Sequence, residues 1–194
     1  MRLVPVTAAL IGVALLTSPA LASSRPAATY KSSHITFTYP SSWGKSAASS
    51  VQKNSGSLSS SGYVKVSAAV GVQRIVSTHN FAVAILAKMT FTKSFQKKLK
   101  GNRALFLKKF EQGVKGTAAK VVSSGTGKFA GQSKALEIQV LLNASGIKTH
   151  DAFYVAIAND GKTCDMAIMV VADQSKWSSY SSSIAAIAAS SSFH

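Results

Sequence analysis

Four apolar-rich segments follow one another between Ala119 and Ala172, separated only by short turns. The clearest is Lys134–Asn143, where Leu136, Ile138, Val140 and Leu142 fall on alternate positions. A period of two marks a strand with one face in a core. Ala119–Lys128 precedes it across a turn at Gly131. Ile147–Ala158 and Lys162–Ala172 follow it, after Ala144-Ser145-Gly146 and Asn159-Asp160-Gly161. The last is a tight hairpin sequence, and strands joined this closely pair antiparallel. All four prolines lie at or before Pro40, so nothing after that point removes a ladder donor. A chain committed to such a meander must cover its apolar sheet with another layer.

Two helical segments can supply that layer. In Thr92–Lys115, Phe95, Leu99, Phe106 and Phe110 gather within about 60° when projected at 100° per residue. Lys93, Lys97, Lys100, Lys108 and Lys115 project to the far side. Gly101-Asn102 interrupts this segment, either bending it or ending one helix and starting another. Asp173 has the character of an N-cap for a second segment running through Ala189, with Trp177, Tyr180, Ile184, Ile187 and Ala188 on its inner face. Ahead of these lie three strand candidates. His34–Tyr39 has Ile35, Phe37 and Tyr39 on one face, Tyr63–Val72 alternates, and Asn80–Met89 is more continuously apolar. Ser46–Gly62, rich in Ser and Gly, is expected to be a surface loop. The expected fold class is α+β: an α/β/α sandwich whose mainly antiparallel central sheet carries helices on both faces.

One stretch adds a family likeness. Phe37-Thr38-Tyr39-Pro40-Ser41-Ser42-Trp43 is a short strand ending in a Tyr-Pro-x-x-Trp turn. The chain closes with an apolar strand, a Trp-bearing helix (Trp177, Tyr180) and Ser192-Phe193. With the meander between them, this order resembles the PsbP-like α/β/α sandwich proteins across nearly the whole chain after the leader. The resemblance implies helices on both sides of an antiparallel sheet. Members of that group include a photosystem accessory protein, a nuclear transport factor and many exported bacterial proteins of unknown role, so it implies a binding or assembly module rather than an enzyme. Tyr39, Pro40 and Trp43 match as structural positions, a strand end and an aromatic plug, and no binding residue carries over.

The opening residues address the compartment. Met1-Arg2 is a short positive start, Leu3–Leu16 is almost wholly apolar, and Ala20-Leu21-Ala22 sets small residues around a cleavage point. This is the layout of a secretory signal peptide, and its apolar run is shorter than the about 20 residues of a spanning helix. The expected organisation is a signal peptide at 1–22, cleaved after Ala22, a flexible leader at 23–29, and a single PsbP-like domain at 30–194. The expected localisation is secreted. Cys164 is the only cysteine, so no internal disulfide forms, and its apolar surroundings point to a buried inert thiol.

Charge is the other distinguishing property: 22 Lys and Arg stand against 6 Asp and Glu, a net of +16. Such an excess on an exported surface attracts polyanions. Equally, a chain with few carboxylates has little native pairing to lose on acidification. The candidate anion-binding residues are Lys93, Lys97, Lys98, Lys100, Arg103, Lys108 and Lys109, with an anionic cell-wall polymer or a membrane surface as the partner. Aromatic rings are not interleaved with these cations, which removes the pairing that single-stranded nucleic acid requires, so a specific nucleic-acid partner is not expected. No Gly-x-Ser-x-Gly elbow occurs. His34, His79, His150 and His194 lack metal-ligand spacing, and His150 and Asp151, as strand neighbours, point to opposite faces. Asp151, Asp160 and Asp165 are expected to be solvated acids near turns. No catalytic residue, metal or cofactor is assigned. The leading expectation is a secreted non-catalytic binding or scaffolding module at the cell envelope. The alternatives are an exported hydrolase with an unrecognised Ser/His site, and a structural surface protein whose basicity is an adaptation to acid.

Overall fold

The computed structural model describes residues 27–46, 64–99, 102–144, 146–157 and 161–194. The signal peptide, nearly all of the Ser/Gly-rich segment, Lys100, Gly101 and Asp160 lie outside the described residues. Strands β1 (Ala27–Lys31), β2 (Ile35–Pro40), β3 (Gly44–Lys45), β4 (Val64–Ser77) and β5 (Asn80–Phe91) are followed by helices α1 (Lys93–Leu99) and α2 (Arg103–Thr117). The meander β6 (Lys120–Phe129), β7 (Gln132–Ala144), β8 (Ile147–Ile157) and β9 (Thr163–Ala172) comes next. A 3-10 turn (Gln174–Lys176), helix α3 (Trp177–Ser190) and β10 (Ser192–Phe193) end the chain.

Seven strands form one sheet in the order β3-β4-β5-β9-β8-β7-β6, and β1-β2-β10 form a second. Every pairing is antiparallel. The hairpins explain most of the order, since β4–β5, β6–β7, β7–β8 and β8–β9 are consecutive. The non-local step is β5 against β9, with Leu86 opposite Ala167 and Ile85 opposite Ile168. It sets the most continuously apolar strands at the centre, where both of their faces are buried.

Alternation then sorts the side chains into two cores. On one face Val83, Ile85, Ile138, Val140, Phe153, Val155, Met166 and Ile168 meet Phe95, Leu99 and Val114 of α1 and α2. On the other, Ala84, Leu86, Ala152, Ala167 and Met169 meet Ile35, Phe37 and Tyr39 of β2 and Tyr180, Ile184 and Ile187 of α3. The main sheet is therefore covered on both sides, as an α+β sandwich requires, with the small sheet sharing one cover with α3. Ser190 locks the two parts of that cover together: its Oγ accepts from the Thr38 backbone N–H at 3.0 Å. Trp43 is buried and meets Tyr180 edge to face, with ring centroids 6.2 Å apart.

Several boundaries differ from the sequence expectation. Ala27–Lys31 is a strand paired with β2 rather than the end of a flexible leader. Its donors and acceptors complete the β2 ladder, a tertiary gain that its Ala-Ala-Thr sequence does not advertise. The Lys-rich segment is two helices, with Asn102 at the start of α2 and its Nδ2 donating back to the Lys98 carbonyl at 3.3 Å. Asp173 caps the 3-10 turn instead of an α-helix: its Oδ1 accepts from the Ser175 N–H at 3.0 Å. Among the described residues no helix is long and apolar enough to cross a membrane.

Candidate functional site

The basic residues singled out by sequence lie on the α1–α2 cover. Phe95 and Leu99 turn inward from α1, Val114 turns inward from α2, and Phe106, Leu107 and Phe110 are partly buried beside them. That orientation leaves Lys93, Lys97, Lys98, Arg103 and Lys108 exposed, with Lys109 half-buried. Lys100 falls outside the described residues. Because the segment breaks into two helices, one projection does not phase all its lysines, and the apolar contacts of each helix place them separately. Glu111 is the only acid of the pair, and it is already engaged. Lys115 reaches it at 2.5 Å one turn away, and the Ser124 hydroxyl of β6 also donates to it. These bonds hold the Glu111 carboxyl below its ordinary range. Arg103 lies against the β8–β9 turn, where a Cβ on Gly161 would stand 3.4 Å from its Nε.

A second cluster, not anticipated from sequence, occupies the opposite face beside the start of α3. The His150 ring stacks on Trp177 with centroids 3.7 Å apart and planes 9° from parallel. His150 Nε2 meets Gln139 Oε1 at 3.2 Å. Gln139 Nε2 donates to Glu137 Oε1 at 2.9 Å, and the Tyr154 hydroxyl donates to the same oxygen at 3.3 Å. Burial and the adjacent Glu137 carboxylate push the Tyr154 phenol upward, so it stays a donor. Burial lowers His150, which favours the neutral ring. Sequence held one signal for this cluster: Glu137 and Gln139 are the polar positions of the strongly alternating β7. Nothing local ties them to Trp177, nearly forty residues on.

The acids correct an expectation. Asp151 and Asp165 are buried in the central strands, at 4% and 5% exposure, and are not solvated. Desolvation raises Asp151 to about 7, with the Thr149 hydroxyl on the same strand face counteracting, and raises Asp165 to about 6, with Lys88 counteracting. Oδ1 of each has no hydrogen-bond partner among the described residues. His150 and Asp151 do face opposite ways, the first toward α3 and the second toward the side covered by α1 and α2. No histidine ring among the described residues is hydrogen-bonded to a serine hydroxyl or a carboxylate. Cys164 is buried, and its desolvated thiol is pushed upward, away from the thiolate, as expected of an inert sulfur.

No family model matches the chain, and no curated protein matches it. Among solved structures it is similar to a Bacteroides thetaiotaomicron protein at 8% identity and TM-score 0.48, over 82% of this chain and 45% of that one. It is also similar to LpqN of Mycobacterium tuberculosis, a protein involved in cell envelope biogenesis, at 13% identity and TM-score 0.49, over 87% of this chain and 90% of that one. The chain thus spans less than half the length of the first.

Proposed function

We propose that this protein is an exported, non-catalytic module of the cell envelope that docks on anionic polymer or lipid head groups through the α1–α2 face. The observation that carries this reading is the imbalance on that face. Lys93, Lys97, Lys98, Arg103 and Lys108 are exposed, while the single acid, Glu111, is taken up by Lys115 and Ser124. A cation near an anionic membrane contributes about 1 kcal/mol, so a handful acting together gives useful affinity without a shaped pocket. The PsbP-like resemblance favours a binding or assembly module over an enzyme, while the basic face lies outside what it implies. Co-sedimentation with phosphatidylglycerol vesicles, and with purified anionic wall polymer, tests the proposal. Binding falls steeply from low to high salt if these cations carry it, and salt-independent binding or none refutes it.

A second reading is favoured by the buried acids. Asp151 and Asp165 keep their protons to higher pH in the native fold than a free carboxyl does, which suits an exported protein working in acid. The two readings are compatible, because the cations keep their charge as pH falls. Loss of native structure by about pH 3 would remove the acid reading.

A further inference from the structure

The face of the main sheet that carries α3 is not covered evenly. β2 and α3 lie on its apolar part, while the outermost strands turn polar and small residues to the same side. Cross-strand register arranges them in rows: Tyr154 opposite Glu137 opposite Gly125, Ala152 opposite Gln139 opposite Ser123, and His150 opposite Leu141 opposite Lys120. Gly125 and Ser123 are exposed, and Glu137 and Gln139 are half-exposed. The stacked His150–Trp177 pair stands at one end of this ledge.

We propose that the ledge is a binding site for a neutral saccharide, on the sheet face opposite the basic helices and independent of them. Glu137 motivates the assignment. In a chain of 22 cations and 6 acids, this half-exposed carboxylate accepts hydrogen bonds, among the described residues, only from neutral groups, Gln139 Nε2 and Tyr154 OH, and forms no salt bridge with any of them. Its Oε2 lies over the β6 backbone, where a Cβ on Gly127 would collide with it, while a Cβ on Gly125, directly opposite, would meet nothing within 4 Å. A carboxylate beside bare strand backbone and open space is a place where a flat ligand can come close. Gln139 is fixed at both ends, by Glu137 and by His150, so its amide is preorganised. A sugar ring offers what these groups select: vicinal hydroxyls that bridge a carboxylate and an amide, and an apolar C–H face that packs beside the half-buried Trp177, whose ring His150 already covers on one side. A small anion would be repelled by Glu137, and the cations on this side of β6 and β8, Lys120 and Lys148, lie two or more rows away from it.

The test uses cellotetraose and the tetramer of N-acetylglucosamine as probes, followed by tryptophan fluorescence and amide NMR shifts up to about 10 mM. At least one probe should perturb Trp177 and the β6–β7 amides. Glu137→Gln should weaken that binding about tenfold. Gly125→Val fills the open space at a position of ordinary strand backbone, so it should abolish binding while leaving the fold and vesicle binding unchanged. Lack of binding to either probe by the unaltered protein, or binding that survives both substitutions, overturns the proposal.

Discussion

Replacing Asp151 by Asn should flatten the pH dependence of stability in a predictable direction. Asp151 sits in β8 between Val140 of β7 and Val170 of β9, and its Oδ1 has no partner among the described residues. Burial raises its carboxyl from 3.8 to about 7. A carboxyl raised in the folded state contributes stability that is fully present below its unfolded value and is lost as pH climbs toward its folded one. The difference corresponds to about 4 kcal/mol between roughly pH 4 and pH 7. Asp165, raised to about 6, acts in the same direction over a narrower window. His150, lowered by burial, acts against both, because its neutral ring must charge as pH falls through its unfolded value. Urea unfolding at half-unit intervals from pH 4 to 8 measures the sum. The unaltered protein should gain stability on acidification across this range, and Asp151→Asn should lose most of that gain while keeping the same urea m-value. A variant whose profile runs parallel to the parent would show that Asp151 is ionised at no cost in the fold.

Three further outcomes follow from packing and backbone. Phe37→Ala removes a fully buried ring that binds β2 to the main sheet and should cost about 3–5 kcal/mol in chemical denaturation. Ser191→Ala leaves the Ala130 N–H, which donates to Ser191 Oγ at 3.1 Å, without its acceptor, and should cost about 1–3 kcal/mol, with faster exchange at the Ala130 amide. Gly161→Ala forces a side chain onto a residue at φ +74° beside the Arg103 guanidinium. It should cost about 1–2 kcal/mol and shift the Arg103 Nε resonance, and an unchanged melting curve would contradict that account of the turn.

The layers were largely legible because alternation is a local signal. The spacing of Leu136, Ile138, Val140 and Leu142 located β7 and its inner face, and Phe95 and Leu99 located the inward side of α1. Gly101-Asn102 marked the break between the two helices without deciding its form. What sequence missed depends on distant neighbours. Ala27–Lys31 is a strand because β2 offers it an edge. Asp151 and Asp165 sit in stretches that read as strand ends near turns, yet β8 is flanked by β7 and β9, the β5–β9 pairing makes β9 interior, and the layers covering the sheet take both carboxyls out of water. Glu137, Gln139, His150 and Trp177 come from three elements that only the register of β7 on β8 and the landing of α3 bring together. The lysines were legible as a group, and the helix break changed how they share a surface.

The most direct measurement compares two variants of equal charge for binding to phosphatidylglycerol vesicles at low salt. One carries Lys97→Gln, Lys98→Gln and Lys108→Gln on the α1–α2 face. The other carries Lys31→Gln, Lys65→Gln and Lys176→Gln, exposed positions on other elements. If the helix pair is the docking surface, the first loses about tenfold or more in vesicle affinity and the second stays near the parent. Equal losses in both would mean that net charge alone drives adsorption and that α1–α2 is not a site.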